Sequence, residues 1–227
     1  MKRIILVTLF SCVIHLTVFA QQPKPANTLS EKQWNDVVSA LETENWGAAA
    51  DYSLKYMKQL KTDNPEKSLA RLRYIYLFAS AGKVIEGKMS RAELERIVNN
   101  FVGKEIVLPD VPIDVDCKGA LNAICASDEE NYDLLIASTN VKGTSIHALV
   151  NVKLEPKVDY TKYKGREASV GGVVRSIELN PNVMRIWAMR IALEKGYIML
   201  LTSGSTNARA NNSLDRTRNK VAFHQLK

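Results

Sequence analysis

Histidine is the commonest general base in enzymes, and this chain carries three: His15, His147 and His224. His15 falls in an apolar N-terminal run, His147 takes the outward phase of an alternating segment, and His224 lies in a basic tail. The sequence contains no G-x-S-x-G, H-E-x-x-H, P-loop or G-x-G-x-x-G pattern. Paired carboxylates could still hydrolyse a substrate without any of these, so a carboxylate-based hydrolase stands as an alternative to a non-catalytic protein.

Carboxylates are concentrated in residues 104–133, where eight of them face two lysines for a net charge of −6. Asp110, Asp114 and Asp116, with Asp128-Glu129-Glu130, offer oxygens to a hard cation. No glycine-containing loop with a distal glutamate accompanies them. The expectation is therefore a solvated acidic rim, with no metal and no cofactor. Cys117 and Cys125 lie in the same stretch. On one extended strand they would be roughly 26 Å apart, so a disulfide requires the chain to turn near Lys118-Gly119-Ala120. A bridge and two buried reduced thiols both remain open.

Residues 134–203 reverse the sign, with ten basic against five acidic side chains. Lys153, Lys157, Lys162, Lys164 and Arg166 surround one long loop. Arg185 and Trp187 alternate onto one strand face, a cation beside an aromatic of the kind that stacks on bases or sugars. Lys164, Arg166, Arg185, Trp187 and Arg190 are accordingly the candidate binding residues. Val183, Met189 and Ile191 share the face of Trp187, which favours a core position for it.

These residues must be placed by the elements around them. The 227 residues begin with Met1-Lys2-Arg3 and an apolar stretch from Ile4 to Ala20 that ends Val18-Phe19-Ala20. This is the pattern of a secretory signal cleaved after Ala20, followed by a Pro-containing leader over 21–29. A lipoprotein signal at Cys12 is the alternative; Phe10 and the apolar residues beyond the cysteine argue against it. Nothing after residue 20 is apolar for the ~20 residues a membrane span needs. The expected location is the periplasm or the exterior. The formal charge of +7 then comes apart. Two charges leave with the signal and +4 sits on the Ser/Asn/Arg-rich tail 204–227, which is read as flexible. The body keeps +1, which disfavours a nucleic-acid partner.

Ser30 with Gln33, and Ser90 with Glu93, are capping boxes. Between them, Trp34, Val37, Val38 and Leu41, then Ala49, Tyr52, Tyr56 and Leu60, recur at helical spacing. Asn45 caps the second helix. Asn64-Pro65 starts a third, apolar almost all round and hence central. Leu94, Ile97, Val98 and Phe101 mark a fourth, stopped by Gly103. After Gly103 the period becomes 2: Tyr132, Leu134 and Ile136; Ile146 through Leu154; and 166–179, where the buried phase switches at Gly171-Gly172. Residues 106–115, interrupted by Pro109 and Pro112, read as an irregular edge strand. Met184 to Leu193 is apolar on both faces, as in a strand covered on both sides.

The fold class is therefore α+β: helical hairpins over 30–103, then a small β-barrel over 104–203. Two resemblances sharpen it. Trp46-Gly47-Ala48-Ala49-Ala50-Asp51-Tyr52, running on to Pro65, resembles the second helix of a tetratricopeptide repeat, and Ser30 and Asn64 start hairpins 34 residues apart. A plain four-helix layer is the alternative. Tyr163-Lys164-Gly165-Arg166-Glu167-Ala168-Ser169-Val170-Gly171-Gly172-Val173-Val174-Arg175-Ser176-Ile177 resembles the glycine-bent strand of OB-fold proteins, in particular small exported bacterial ones. The first resemblance implies a concave peptide-holding surface. The second implies a closed five-stranded barrel whose open face binds oligonucleotides, oligosaccharides or protein. Together they lead to the expectation of an exported binding or scaffolding protein of the cell envelope with a protein or surface partner. A single-stranded nucleic-acid or oligosaccharide binder is the alternative of a different kind.

Overall fold

The computed structural model describes residues 28–60, 62, 67–117, 121–128, 133–182 and 187–201. The signal 1–20, Cys12, most of the leader, Arg185 and the tail 204–227 lie outside the described residues. Among the described residues no helix is long and apolar enough to cross a membrane.

The chain forms four helices, α1 (Glu31–Glu42), α2 (Trp46–Gln59), α3 (Ser68–Ile85) and α4 (Arg91–Asn99). Local chemistry sets their starts. Ser30 Oγ accepts from Gln33 N while the Gln33 side chain accepts from Ser30 N at 2.8 Å, and Ser90 with Glu93 repeats the arrangement. Asn45 caps α2 by accepting from Ala48 N at 3.2 Å. The Asn64-Pro65 start falls outside the described residues; α3 is described from Ser68, behind Lys67 at a left-handed φ of 57° and with no side-chain cap. Tyr56 Oη donates to Asp36 at 2.8 Å and ties α2 to α1.

α3 is the shared wall of the molecule, as its apolar circumference requires. Leu72, Ile75 and Ala79 pack with α1 and α2 around Val37, Leu41, Trp46 and Ala49. Tyr74, Leu77, Ala81 and Val84 belong to the cluster that holds the sheet. Gly82 makes one contact possible. A Cβ there would lie 2.6–2.9 Å from the Trp46 indole carbons, so its absence lets the ring sit on the helix. The polar side of α3 grips the sheet. Lys67 pairs with Glu105 at 3.3 Å, and Arg71 pairs with Asp110 at 3.5 Å while donating to Ser169 Oγ at 2.9 Å.

Seven strands follow: β1 (Glu105–Val107), β2 (Val111–Pro112), β3 (Cys125–Asp128), β4 (Asp133–Thr139), β5 (Ile146–Leu154), β6 (Glu167–Leu179) and β7 (Trp187–Leu200). They make one mixed sheet in the order β1-β6-β7-β5-β4-β3, with β2 also on β6. β5 and β7 run parallel and the other pairs antiparallel. The β4–β5 hairpin turns on Asn140, whose side chain accepts from Thr144 N and Ser145 N. A 3-10 turn, Tyr160–Tyr163, joins β5 to β6.

The sheet departs from expectation in two places. Its strand path is open, where a closed barrel was expected: β1 and β3 are the ends, and the Ile113–Ile124 bridge links the segments beside them. Proline also interrupts the edge segment on β6. Pro109 and Pro112 lack the N–H that a ladder needs, so 105–113 meets β6 only in two short pieces. The second departure is the phase switch. Ala168, Val170 and Val174 are buried, Arg175 and Ser176 exposed, and Leu179 buried again. The switch is a bulge at Arg175, opposite the Leu193–Ala192 step, rather than at Gly171-Gly172. Beside those glycines the extra residue is on β7, where Lys195 adopts a φ of 52°. Gly171 instead makes room for the Tyr197 ring, whose hydroxyl donates to Glu105 at 2.7 Å.

Candidate functional site

The cationic candidates occupy two separate places. Lys164 Nζ lies 2.9 Å from Asp116, joining the basic stretch to the acidic one. Arg166 sits 5.6 Å over the Tyr163 ring and donates to the Leu201 carbonyl at 3.3 Å. Trp187 and Arg190 come together on β7, with the guanidinium 4.8 Å from the ring centroid. Register keeps the pairs apart, because Ala168 faces Leu200 at one end of the β6/β7 ladder and Leu179 faces Met189 at the other. The candidate binding residues therefore do not converge on one surface among the described residues. Trp187 is half-buried rather than core. It begins its strand, at the edge of the face where Met189 and Ile191 are fully buried.

The acidic cluster is dispersed by use. Asp110 is held by Arg71 and accepts from Ser169, Asp114 accepts from Asp116 N at 3.0 Å, and Asp116 takes Lys164. Among the described residues no group of three or more His, Cys, Asp or Glu side chains converges. Cys117 and Cys125 are free thiols, and the Cys117 side chain is close enough to act on Cys125. Burial, reinforced by that neighbour, pushes the Cys125 thiol up to about 12.

His147 is buried, not outward. Its ring lies 4.6 Å from both Trp46 and Phe78, because α2 and α3 cover the sheet where β5 begins. Burial brings the imidazole down to about 4, against a weaker pull from a hydrogen bond with the Phe78 backbone. A neutral ring wedged between two aromatics has no approach for a substrate, so its place is in the core.

A concave site whose residues the sequence reading did not name as binding residues lies between α2, α3 and α4. A groove of about 380 Å³ runs over Leu54, Met57, Tyr76, Ile97 and Phe101. Arg73 and Lys104 also line it, and among the described residues no carboxylate does. Lys104 Nζ stands 5.6 Å over the Phe101 ring, and Arg73 donates to the Glu105 carbonyl at 3.0 Å. Burial, then the charge of Asp51, raises the Tyr76 phenol, which keeps it a neutral donor. Leu54 is 37% exposed, one of three exposed large apolar side chains among the described residues. Another, Val102 at 49%, follows Phe101 directly. The sequence held a signal for this: Leu54 and Met57 form a second apolar stripe on α2, off the Ala49–Tyr52–Tyr56–Leu60 face.

No protein-family model, no curated protein and no solved structure matches the chain. Its function has to be argued from this geometry.

Proposed function

We propose that this is an exported binding or scaffolding protein of the cell envelope, without catalytic activity, whose recognition surface is the groove between α2, α3 and α4. The carrying observation is that groove: an apolar floor lined, among the described residues, by two cations and no carboxylate. Such a surface is complementary to a protein segment that offers apolar side chains beside an acidic group. The tail 204–227, with five basic residues against Asp215, has the wrong sign to fill it.

The TPR-like reading of 30–103 rests on the two capped hairpins that build this groove. The OB-like reading of 104–203 is supported by strand order: β3-β4-β5-β7-β6 with β5 and β7 parallel, β1 and β2 on β6, and β3 on β4. In this proposal the sheet is the platform that fixes α3. The signal at 1–20 supplies the export. Nucleic-acid recognition through the sheet is disfavoured, because Lys164 is paired and the two cation clusters lie at opposite ends of the β6/β7 ladder.

Capture from envelope extract by the protein and by its Leu54→Asp variant tests the reading. A partner should be retained by the first and lost by the second. Equal retention by both would move recognition elsewhere, and turnover of a glycoside or peptide substrate would overturn the non-catalytic reading.

A further inference from the structure

We propose that Cys117 and Cys125 form a reversible oxidation site, a thiol pair that a small disulfide closes into an intramolecular bridge. The backbone places the pair independently of any titration argument. Asp114 N donates to the Ile124 carbonyl at 3.0 Å, and Ile124 N donates to the Pro112 carbonyl at 2.9 Å. Cys117 Sγ donates to the Asp114 carbonyl at 3.0 Å, which brings it back over the strand that Cys125 begins. Both thiols are free. The segments that carry the two cysteines therefore lie side by side.

The two thiols differ in access. Cys117 is half-exposed and stands at a φ of 45°, whereas Cys125 is 7% exposed. Access and thiolate character decide which sulfur reacts first. Cys117 loses its proton to solvent and attacks one sulfur of the oxidant. The oxidant's S–S bond breaks, one thiolate leaves, and Cys117 holds the other half as a mixed disulfide. Cys125 then loses its proton and displaces that half as a second thiolate. The protein gains one S–S bond and loses two S–H bonds, and the oxidant is reduced to two thiols. Burial of Cys125 makes the second step the slower one.

The bridge would lie on a structural seam. Among the described residues, the Ile113–Ile124 bridge with its two hydrogen bonds is an isolated pairing between the chain leaving β2 and the chain entering β3. Oxidation would staple those segments where the sheet is otherwise unpaired. This holds whether or not the groove binds a partner.

Oxidised glutathione is the probe, used on protein carrying Cys12→Ser so that only the pair can react. The parent should lose two hydrogens by intact mass. Cys125→Ser should accumulate glutathione on residue 117, and Cys117→Ser should take up roughly tenfold less. Amide exchange at Asp114 and Ile124 should slow on oxidation of the parent. A stable glutathione adduct on the parent without bridge formation would overturn the proposal. So would equal labelling of the two serine variants, or no reaction at all.

Discussion

At the scale of single residues, His147 shows how a local pattern and a global fit can disagree. Alternation along β5 assigned Ile146, Ala148, Val150, Val152 and Leu154 to the core; the last four are buried and Ile146 is half-buried. The same alternation sent His147 outward, but whether a sheet face meets water depends on what packs over it. Here that is Trp46 and Phe78, more than sixty residues away in sequence. The burial has a pH signature. The folded pKa of about 4 lies below the unfolded 6.5, so the unfolded chain binds the proton first. This residue's contribution is intact above pH 6.5 and is lost as the pH falls toward 4. The loss amounts to about 3 kcal/mol. Urea melts should show the parent losing about that much stability relative to His147→Leu between pH 7 and pH 4. A difference that does not change with pH would contradict a buried neutral imidazole. The cysteines carry a second signature. With its thiol pushed up to about 12, Cys125 holds almost no thiolate at pH 8. Iodoacetamide should therefore modify Cys117 in the native protein and Cys125 only after unfolding. A peptide map showing equal modification would refute this.

At the scale of elements, the features written in adjacent residues were the legible ones. A capping box needs only Ser30 and Gln33, or Ser90 and Glu93, and each occurs where the spacing put it. The centrality of α3 was also legible, because a helix apolar on every side has no face to give to water. The bulge was not. A bulge is a property of two strands, and the residue that β6 has in excess, Arg175, is defined only against Leu193 and Ala192 on β7. Gly171 and Gly172 drew attention as the flexible residues, yet Gly171 is there for the Tyr197 ring. Gly82 tests the same principle in a helix. Exchange for alanine normally favours a helix by about 1 kcal/mol, but here a Cβ meets a Trp46 ring that is itself 3% exposed. Overpacking at about 1–3 kcal/mol outweighs the propensity gain. Gly82→Ala should lower the thermal midpoint, and Gly82→Ala with Trp46→Leu should recover part of the alanine penalty relative to Trp46→Leu alone. A raised midpoint in the single variant would mean that Trp46 does not sit on α3.

At the scale of the whole molecule, the charge sum was legible but its placement was not. The negative stretch 104–133 and the positive stretch after it meet inside one chain through Asp116 and Lys164, while Glu105 and Asp110 are claimed by Lys67 and Arg71 of α3. The groove was hidden for a related reason. Leu54, Tyr76 and Ile97 belong to three helices, and nothing along the sequence says that these positions meet around Arg73 and Lys104. The sheet sets that meeting by fixing α3. The most direct test of the proposed recognition surface is an NMR titration with a short peptide of Leu, Phe and Glu residues, following backbone amides and side-chain methyls. The account predicts saturable shifts centred on Leu54, Met57, Arg73, Tyr76, Ile97 and Lys104, removed by Leu54→Asp. Shifts centred instead on Trp187 and Arg190, or no saturable shift anywhere, would contradict it.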